Sequence, residues 1–124
     1  MKTSELLNLD CRKDKNNINI LIRFLWKIKP VQSIVGKYVE AGGDIDCVYL
    51  EDVLHKMCSR YEYKLQQIWV YEEEGNFVMY SIGVLRKQGS EWIGDVTAVS
   101  FWELVAKCII KIYSDVKGRK KNEK

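Results

Sequence analysis

The chain lacks most of the sequence signals that assign a protein to a chemical class. It has 124 residues with one proline and one histidine, and none of its four cysteines belongs to a C-x-x-C pair. It contains no G-x-S-x-G nucleophile elbow, no P-loop and no G-x-G-x-x-G turn. His55 and Cys58 are three residues apart, but one loose pair falls short of a full set of zinc ligands. We therefore expect a protein that is not an enzyme and that holds neither a cofactor nor a metal.

Long apolar runs and a secretory signal are missing as well. Every apolar run is shorter than the roughly 18 residues that a membrane-spanning helix needs, and charges interrupt the N-terminal segment. These features predict a cytoplasmic protein without a membrane partner. Cysteines stay reduced in such a compartment, so we expect free thiols at Cys11, Cys47, Cys58 and Cys108.

The net charge of +3 is distributed unevenly along the chain. Residues 1–37 hold eight basic and three acidic residues, residues 38–116 hold seven and thirteen, and residues 117–124 hold five and one. The centre is therefore acidic and the two ends are basic. A basic total that comes from the ends is weak evidence for a nucleic-acid-binding surface. We expect residues 117–124 to form a basic, disordered tail.

Helical periodicity of the apolar residues predicts two helices, at residues 47–60 and 100–116. Residues 47–60 carry a single apolar stripe at helical spacing. Ser100 and Glu103 form an S-x-x-E capping box at the start of a strongly apolar helix over residues 100–116. A short helix over residues 4–9 completes this set.

Residues 16–29 are ambiguous, because their apolar positions fit both helical spacing and strict alternation. We choose helix, since two asparagines begin the segment and Pro30 follows it. A strand remains the alternative for this segment.

Between the predicted helices at residues 47–60 and 100–116, the period of the apolar residues changes to two. Strands are predicted at residues 65–71, 77–86 and 91–99, joined by short turns at 72–76 and 87–90. Sequential strands with short turns form an antiparallel meander. The fold class is therefore α+β, a three-stranded antiparallel meander flanked by helices in the order α-α-β-β-β-α.

Both faces of the predicted strands are apolar, which is not the pattern of a sheet with one solvated face. The helices at 47–60 and 100–116 can cover one face and the N-terminal helix the other, giving three layers. A homodimer through the second face would satisfy the same pattern. We expect one domain over residues 1–116, made of an N-terminal helical part (4–29) and a sheet–helix module (46–116).

Candidate partner-binding residues are aromatic or acidic. Two adjacent aromatic residues at the start of the last helix cannot both face inward, and exposed aromatic residues favour interfaces. A run of three carboxylates occupies a predicted turn. The set is Trp92, Phe101, Trp102, Glu72, Glu73 and Glu74.

An alternative set would bind RNA or DNA through the basic C-terminal helix and tail, because cationic side chains supply the phosphate contacts of such proteins. Its members are Lys107, Lys111, Lys117, Arg119, Lys120 and Lys121.

The module over residues 47–116 is similar in topology to the double-stranded-RNA-binding domain. That family places a lysine cluster at the start of its last helix, where this chain has Ser100-Phe-Trp-Glu103. The resemblance therefore implies the topology and none of the RNA contacts.

The strand pair 77–99 with Trp92, and the helix that follows it, resemble a small phage-encoded α-β-α sandwich domain. This resemblance covers residues 46–116 and carries no catalytic residues. It implies a phage or mobile-element accessory protein, made in the bacterial host cytoplasm, that binds a host or viral macromolecule. Antagonists of host defence systems such as CRISPR are among such proteins.

The leading hypothesis is thus a non-enzymatic accessory protein whose acidic centre attracts a basic protein partner, such as a nucleic-acid-handling enzyme. The alternatives are a nucleic-acid-binding protein that uses the basic set and a structural homodimer.

Overall fold

The fold is taken from a computed structural model that describes residues 2–9, 16–28, 47–66, 69–73, 77–98 and 101–122. The helices in this part of the chain are α1 (Thr3–Leu7), α2 (Asn16–Lys27), α3 (Cys47–Tyr61) and α4 (Phe101–Asn122). The strands are β1 (Tyr63–Leu65), β2 (Trp69–Glu73), β3 (Phe77–Arg86) and β4 (Glu91–Ala98), with a 3-10 turn at Gln88–Ser90. The predicted α+β class is confirmed, and the ambiguous segment after residue 16 is a helix.

Strand β3 is the centre of an antiparallel sheet. Tyr63 of β1 pairs with Arg86 and Trp69 of β2 pairs with Ser81, so β1 and β2 follow one another along the same edge of β3. The Gln66 amide between them donates to the carbonyl of Gly83 at 2.8 Å. Strand β4 pairs with the other edge. The predicted three-stranded meander is therefore confirmed, with its first strand present as two segments.

A bulge interrupts the pairing of β3 with β4. Val84 pairs with Gly94 and the next residue, Leu85, pairs with Trp92, so Ile93 is an extra residue in β4. Gly94 has φ +142, a conformation that side chains disfavour and glycine adopts readily. A bulge changes the direction of neighbouring side chains, and this one lies between the two surfaces described below.

Residues 103–110 in the first half of α4 are buried on all sides of the helix. Every residue from 103 to 110 is buried, and α4 contacts the sheet, α3, α1 and α2. A helix that is surrounded in this way must be apolar around its whole circumference. The expectation that the N-terminal helix covers the second face of the sheet is wrong, because α1 and α2 make their main contacts with α4. The buried part of α4, rather than the second face of the sheet, is the apolar surface that α1 and α2 cover.

Two charged residues lie inside this buried half of α4. Glu103 and Lys107 are 1% and 4% exposed, and Lys107 Nζ lies 2.9 Å from Glu103 Oε1. Lys107 Nζ also donates to the carbonyl oxygen of Leu9 at 2.6 Å. Buried charges are tolerated when they are paired and hydrogen-bonded. This contact fixes the segment after α1 against α4.

Helix α4 is longer than its sequence pattern indicated. It was expected to end at residue 116 before a disordered tail, and this expectation is wrong for residues 117–122, which are helical. Val116 is buried, and the Arg119 guanidinium lies 5.4 Å from the centre of the Tyr63 ring. These contacts extend the packing of α4 beyond its apolar stripe. The predicted cap residue Ser100 lies outside the described residues.

The buried pair gives a direct test of this core. Lys107→Met removes the partner of a buried carboxylate, so we expect the free energy of unfolding to fall by about 3 kcal/mol. Lys56→Met is the matched control, since Lys56 forms the same i,i+4 pair with Asp52 at the surface, with side chains 53% and 45% exposed. An exposed pair contributes at most about 0.5 kcal/mol. Urea unfolding followed by circular dichroism measures both, and equal losses would contradict the buried role of Lys107.

Candidate functional site

A polar cluster joins the C-terminal half of α4 to the ends of β1 and β3. Asp115 accepts two hydrogen bonds from Arg86, from Nε to Oδ2 at 2.9 Å and from Nη2 to Oδ1 at 2.8 Å. The Tyr63 hydroxyl donates to Asp115 Oδ2. Arg86 Nη1 donates to Glu91 at 2.7 Å on the outer, exposed side. Two parallel charge-assisted bonds fix both the position and the plane of the guanidinium group.

Arg86 and Asp115 of this cluster form an ion pair at neutral pH. The hydrogen bonds from Arg86 hold the pKa of Asp115 below the ordinary 3.8, against the effect of desolvation. Burial, followed by the bond to Asp115, raises the pKa of Tyr63 to about 12. Asp115 is therefore a fixed negative charge and Tyr63 a neutral donor.

A cavity of about 250 Å³ opens beside this cluster, which we call the Arg119 pocket. Its lining residues are Arg86, Ile93, Lys111, Ser114, Asp115, Gly118 and Arg119. Spacings of four and seven residues place Lys111, Asp115 and Gly118 on one face of α4. Lys111 extends over Gly94, where a Cβ atom would come within 3.0 Å of its Nζ. The pocket therefore combines three cationic side chains with one carboxylate.

Arg119 carries an orphaned donor in this pocket. Its Nε is buried and has no hydrogen-bond partner, while its guanidinium lies over the Tyr63 ring. Buried donors in folded proteins nearly always have an acceptor, so an exception calls for an explanation.

The predicted nucleic-acid set does not form one surface. The assignment of Lys107 to it is wrong, because that side chain is buried against Glu103 and Leu9. Lys111 and Arg119 meet in the Arg119 pocket. Lys117 lies on another side of α4, 5.1 Å from the centre of the Tyr113 ring. The side chains of Lys120 and Lys121 lie outside the described part of the chain.

Trp92 is a large aromatic residue of the sheet that the structure shows exposed. It is 50% exposed and its ring lies across Gly83, where a Cβ atom would come within 2.6 Å of Cζ3. Leu85, its partner across the strands, is only 8% exposed. We call these three residues and the exposed Asp95 and Thr97 the outer face of the sheet.

The inner face packs against the helices. Ile82, Val84, Val96 and Ala98 are all buried there, and α4 contacts both β3 and β4. From Asp95 to Ala98 the exposed and buried positions of β4 alternate as they do in a strand with one solvated face. The two faces of the sheet are therefore unlike, and the outer one presents Trp92.

Phe101, another predicted partner-binding residue, does not join Trp92. Trp92 pairs with Leu85 at one end of the β3–β4 ladder, whereas Phe101 follows Ala98, which pairs at the other end. Phe101 is 37% exposed. Glu72 and Glu73 belong to β2. Their side chains and that of Trp102 are outside the described part of the chain, as is the whole of Glu74.

Phe101 lies instead at an apolar cavity of about 320 Å³ between α3, α4 and the sheet. Cys108 lines this cavity, and burial raises the pKa of its thiol. His55 lies at the rim and is exposed. A buried thiol with a raised pKa is a poor nucleophile. Among the residues that the structure describes, no group of three or more His, Cys, Asp or Glu could hold a metal ion.

Two further findings concern the chain as a whole. Within the described helices, none combines the length and apolar character that crossing a membrane would take. Comparisons with family models, with curated proteins and with solved structures found no match. The two family resemblances of the sequence therefore stay predictions.

The sequence did not predict the residues that form the Arg119 pocket together with Lys111 and Arg119. Arg86 and Asp115 are 29 residues apart and Tyr63 and Asp115 are 52 apart, so no local spacing connects them. The available signal was an aspartate between the apolar residues Ile112 and Val116 of the last helix.

The depressed pKa of Asp115 predicts a pH-dependent stability. Asp115→Asn should lower the free energy of unfolding at pH 7 by about 2 kcal/mol, since hydrogen bonds to a charged group are lost. The stabilisation that the Asp115 carboxylate provides is fully present above its pKa in the unfolded chain, near 3.8. It is lost as the pH falls from there through the lower pKa of the folded state. Chemical unfolding at pH 7 and pH 3 should show the gap between wild type and variant closing at acid pH. A gap that stays constant would contradict the assignment.

The contact between Trp92 and Gly83 predicts a strong coupling. Gly83→Ala forces the indole aside, so we expect a loss of about 1–3 kcal/mol in unfolding free energy. The same change should cost almost nothing in a Trp92→Ala background, where the ring is gone. Gly118→Ala is the control, because a Cβ atom there meets nothing within 4 Å. Urea unfolding of the four-member cycle measures the coupling, and additive losses would show that the ring lies elsewhere.

Proposed function

We propose that this protein is a non-enzymatic binding protein that recognises another protein through the outer face of its sheet. The observation that carries the proposal is Trp92, a large aromatic side chain left half exposed while its neighbours Gly83 and Leu85 are buried beneath it. Tryptophan is among the residues that dominate binding energy at protein interfaces.

The packing of Trp92 supports this function in a second way. Its ring rests on a glycine and is held from below, so little side-chain freedom is lost when a partner covers it. A preorganised aromatic side chain costs less to bind than a mobile one. Exposed polar residues, among them Asp95 and Thr97, flank the ring, which is the arrangement of a polar rim around an apolar centre.

The partner class that we propose follows the charge of the chain. Residues 38–116 hold seven basic and thirteen acidic residues, so a basic protein would be steered toward this module. The resemblance to phage accessory domains leads us to propose a host or viral protein as the partner, with a nucleic-acid-handling enzyme as the leading example.

A site-specific crosslink tests the proposal. A photoreactive phenylalanine analogue at position 92 should capture one partner in cells, whereas the same analogue at the exposed Ser59 of α3 should not. With the purified partner, Trp92→Ala should weaken binding at least tenfold, the effect of losing about 1.4 kcal/mol. Phe101→Ala is the matched control, because Phe101 lies at the other end of the ladder and should change affinity little.

Sedimentation of the pure protein separates the homodimer from a foreign partner. A monomer that still crosslinks through position 92 supports the proposal. A dimer that Trp92→Ala converts to monomer would replace it with self-association, and equal capture at positions 92 and 59 would end it.

A further inference from the structure

The Arg119 pocket has a chemistry that the proposed protein contact does not use. Three cationic side chains and one carboxylate line it, which gives the lining a net charge of +2. Asp115 is already engaged by Arg86 and Tyr63. Its single negative charge, which Arg119 also feels, leaves two of the three positive charges of the lining unbalanced.

The geometry also brings these charges together across separate elements. Lys111 and Arg119 come from α4 two turns apart, and Arg86 comes from the end of β3. Cations at a helix C-terminus are favoured by the helix dipole. The dipole does not explain their convergence on one cavity with a strand residue, nor the buried Nε of Arg119 that lacks an acceptor.

Both arginines are held in place by a neighbour. The Tyr63 ring supports the guanidinium of Arg119 at 5.4 Å, and the carboxylate of Asp115 holds that of Arg86 in two hydrogen bonds. The bare backbone of Gly94 leaves room for Lys111 Nζ. Donors that are fixed before binding lose little freedom when an anion arrives.

We infer that the Arg119 pocket binds a phosphate monoester. A dianionic phosphate group matches the charge of the lining and offers several acceptor oxygens to Lys111 and Arg119. The cavity of about 250 Å³ has room for the phosphate and for part of the group that it is esterified to. The monoester belongs either to a small metabolite or to the phosphorylated end of a nucleic acid, since both present the same dianion.

Titration of the full chain with inorganic phosphate tests the site. Calorimetry and amide NMR should show saturable binding, with shifts confined to residues around 86, 94 and 111–119, that sodium chloride at equal ionic strength does not produce. Lys111→Gln and Arg119→Gln should each weaken it about tenfold, because a charge-assisted hydrogen bond is lost. Lys117→Gln removes the same charge from another side of α4 and should leave the affinity unchanged.

Some results would overturn the inference. They are the absence of saturable binding in millimolar phosphate, or equal weakening by all three charge variants, which would mark a diffuse attraction. Arg119 also packs on Tyr63, so circular dichroism must show that Arg119→Gln is folded. Lys111→Gln tests the site without touching that contact.

Two ligands then distinguish the sources of the phosphate. Glycerol phosphate that binds at least as tightly as a 5′-phosphorylated oligonucleotide identifies a small metabolite. An oligonucleotide that binds more tightly, and only when its 5′ end is phosphorylated, identifies a nucleic-acid end. Equal binding of the 5′-hydroxyl oligonucleotide would overturn the monoester assignment, because it would show recognition of the polyanion alone.

Discussion

The burial of residues 103–110 of α4 on every side is the constraint on which the rest of the fold depends. A helix with apolar residues around its circumference cannot lie on a surface, so it needs the sheet on one side and other helices on the rest. This requirement places α1 and α2 against α4, while Trp92 on the outer face of the sheet is half exposed.

Polar groups on α4 then determine how its neighbours are positioned. In the buried half, the ammonium group of Lys107 needs a hydrogen-bond acceptor inside the core. The carbonyl oxygen of Leu9 provides one, which apolar side chains cannot. In the second half, Asp115 engages Arg86 and Tyr63. Apolar contacts are tolerant of direction, whereas these bonds are not. They fix the segment after α1 and the ends of β1 and β3 relative to the helix.

The sequence predicted what depends on local periodicity and little else. The apolar stripe of α3 and the alternation in β3 and β4 gave the α+β class and the meander. The end of α4 and the place of α2 depend on which surfaces meet, and no spacing within one segment encodes that. The residues of the Arg119 pocket could not be predicted for the same reason. In the sequence Arg86 is only the end of a predicted strand, and Asp115, 29 residues later, comes close to it only in the folded chain. Trp92 and Lys111 could be predicted as candidate binding residues, because an aromatic or a basic side chain suggests binding by its type alone. The sequence could not predict that they lie on different surfaces.

The bulge in β4 decides which side chains of the strand reach each surface. Without the extra residue, strict alternation from Asp95 would place Ile93 on the outer face and Trp92 on the inner one. With it, Trp92 pairs with Leu85 on the outer face, while the next residue, Ile93, lines the Arg119 pocket. Gly94 follows with a positive φ and no side chain, which leaves Lys111 its place over the strand. A β-branched residue at position 94 would strain the backbone and displace the lysine together, so the bulge ties the shape of the pocket to the placement of Trp92.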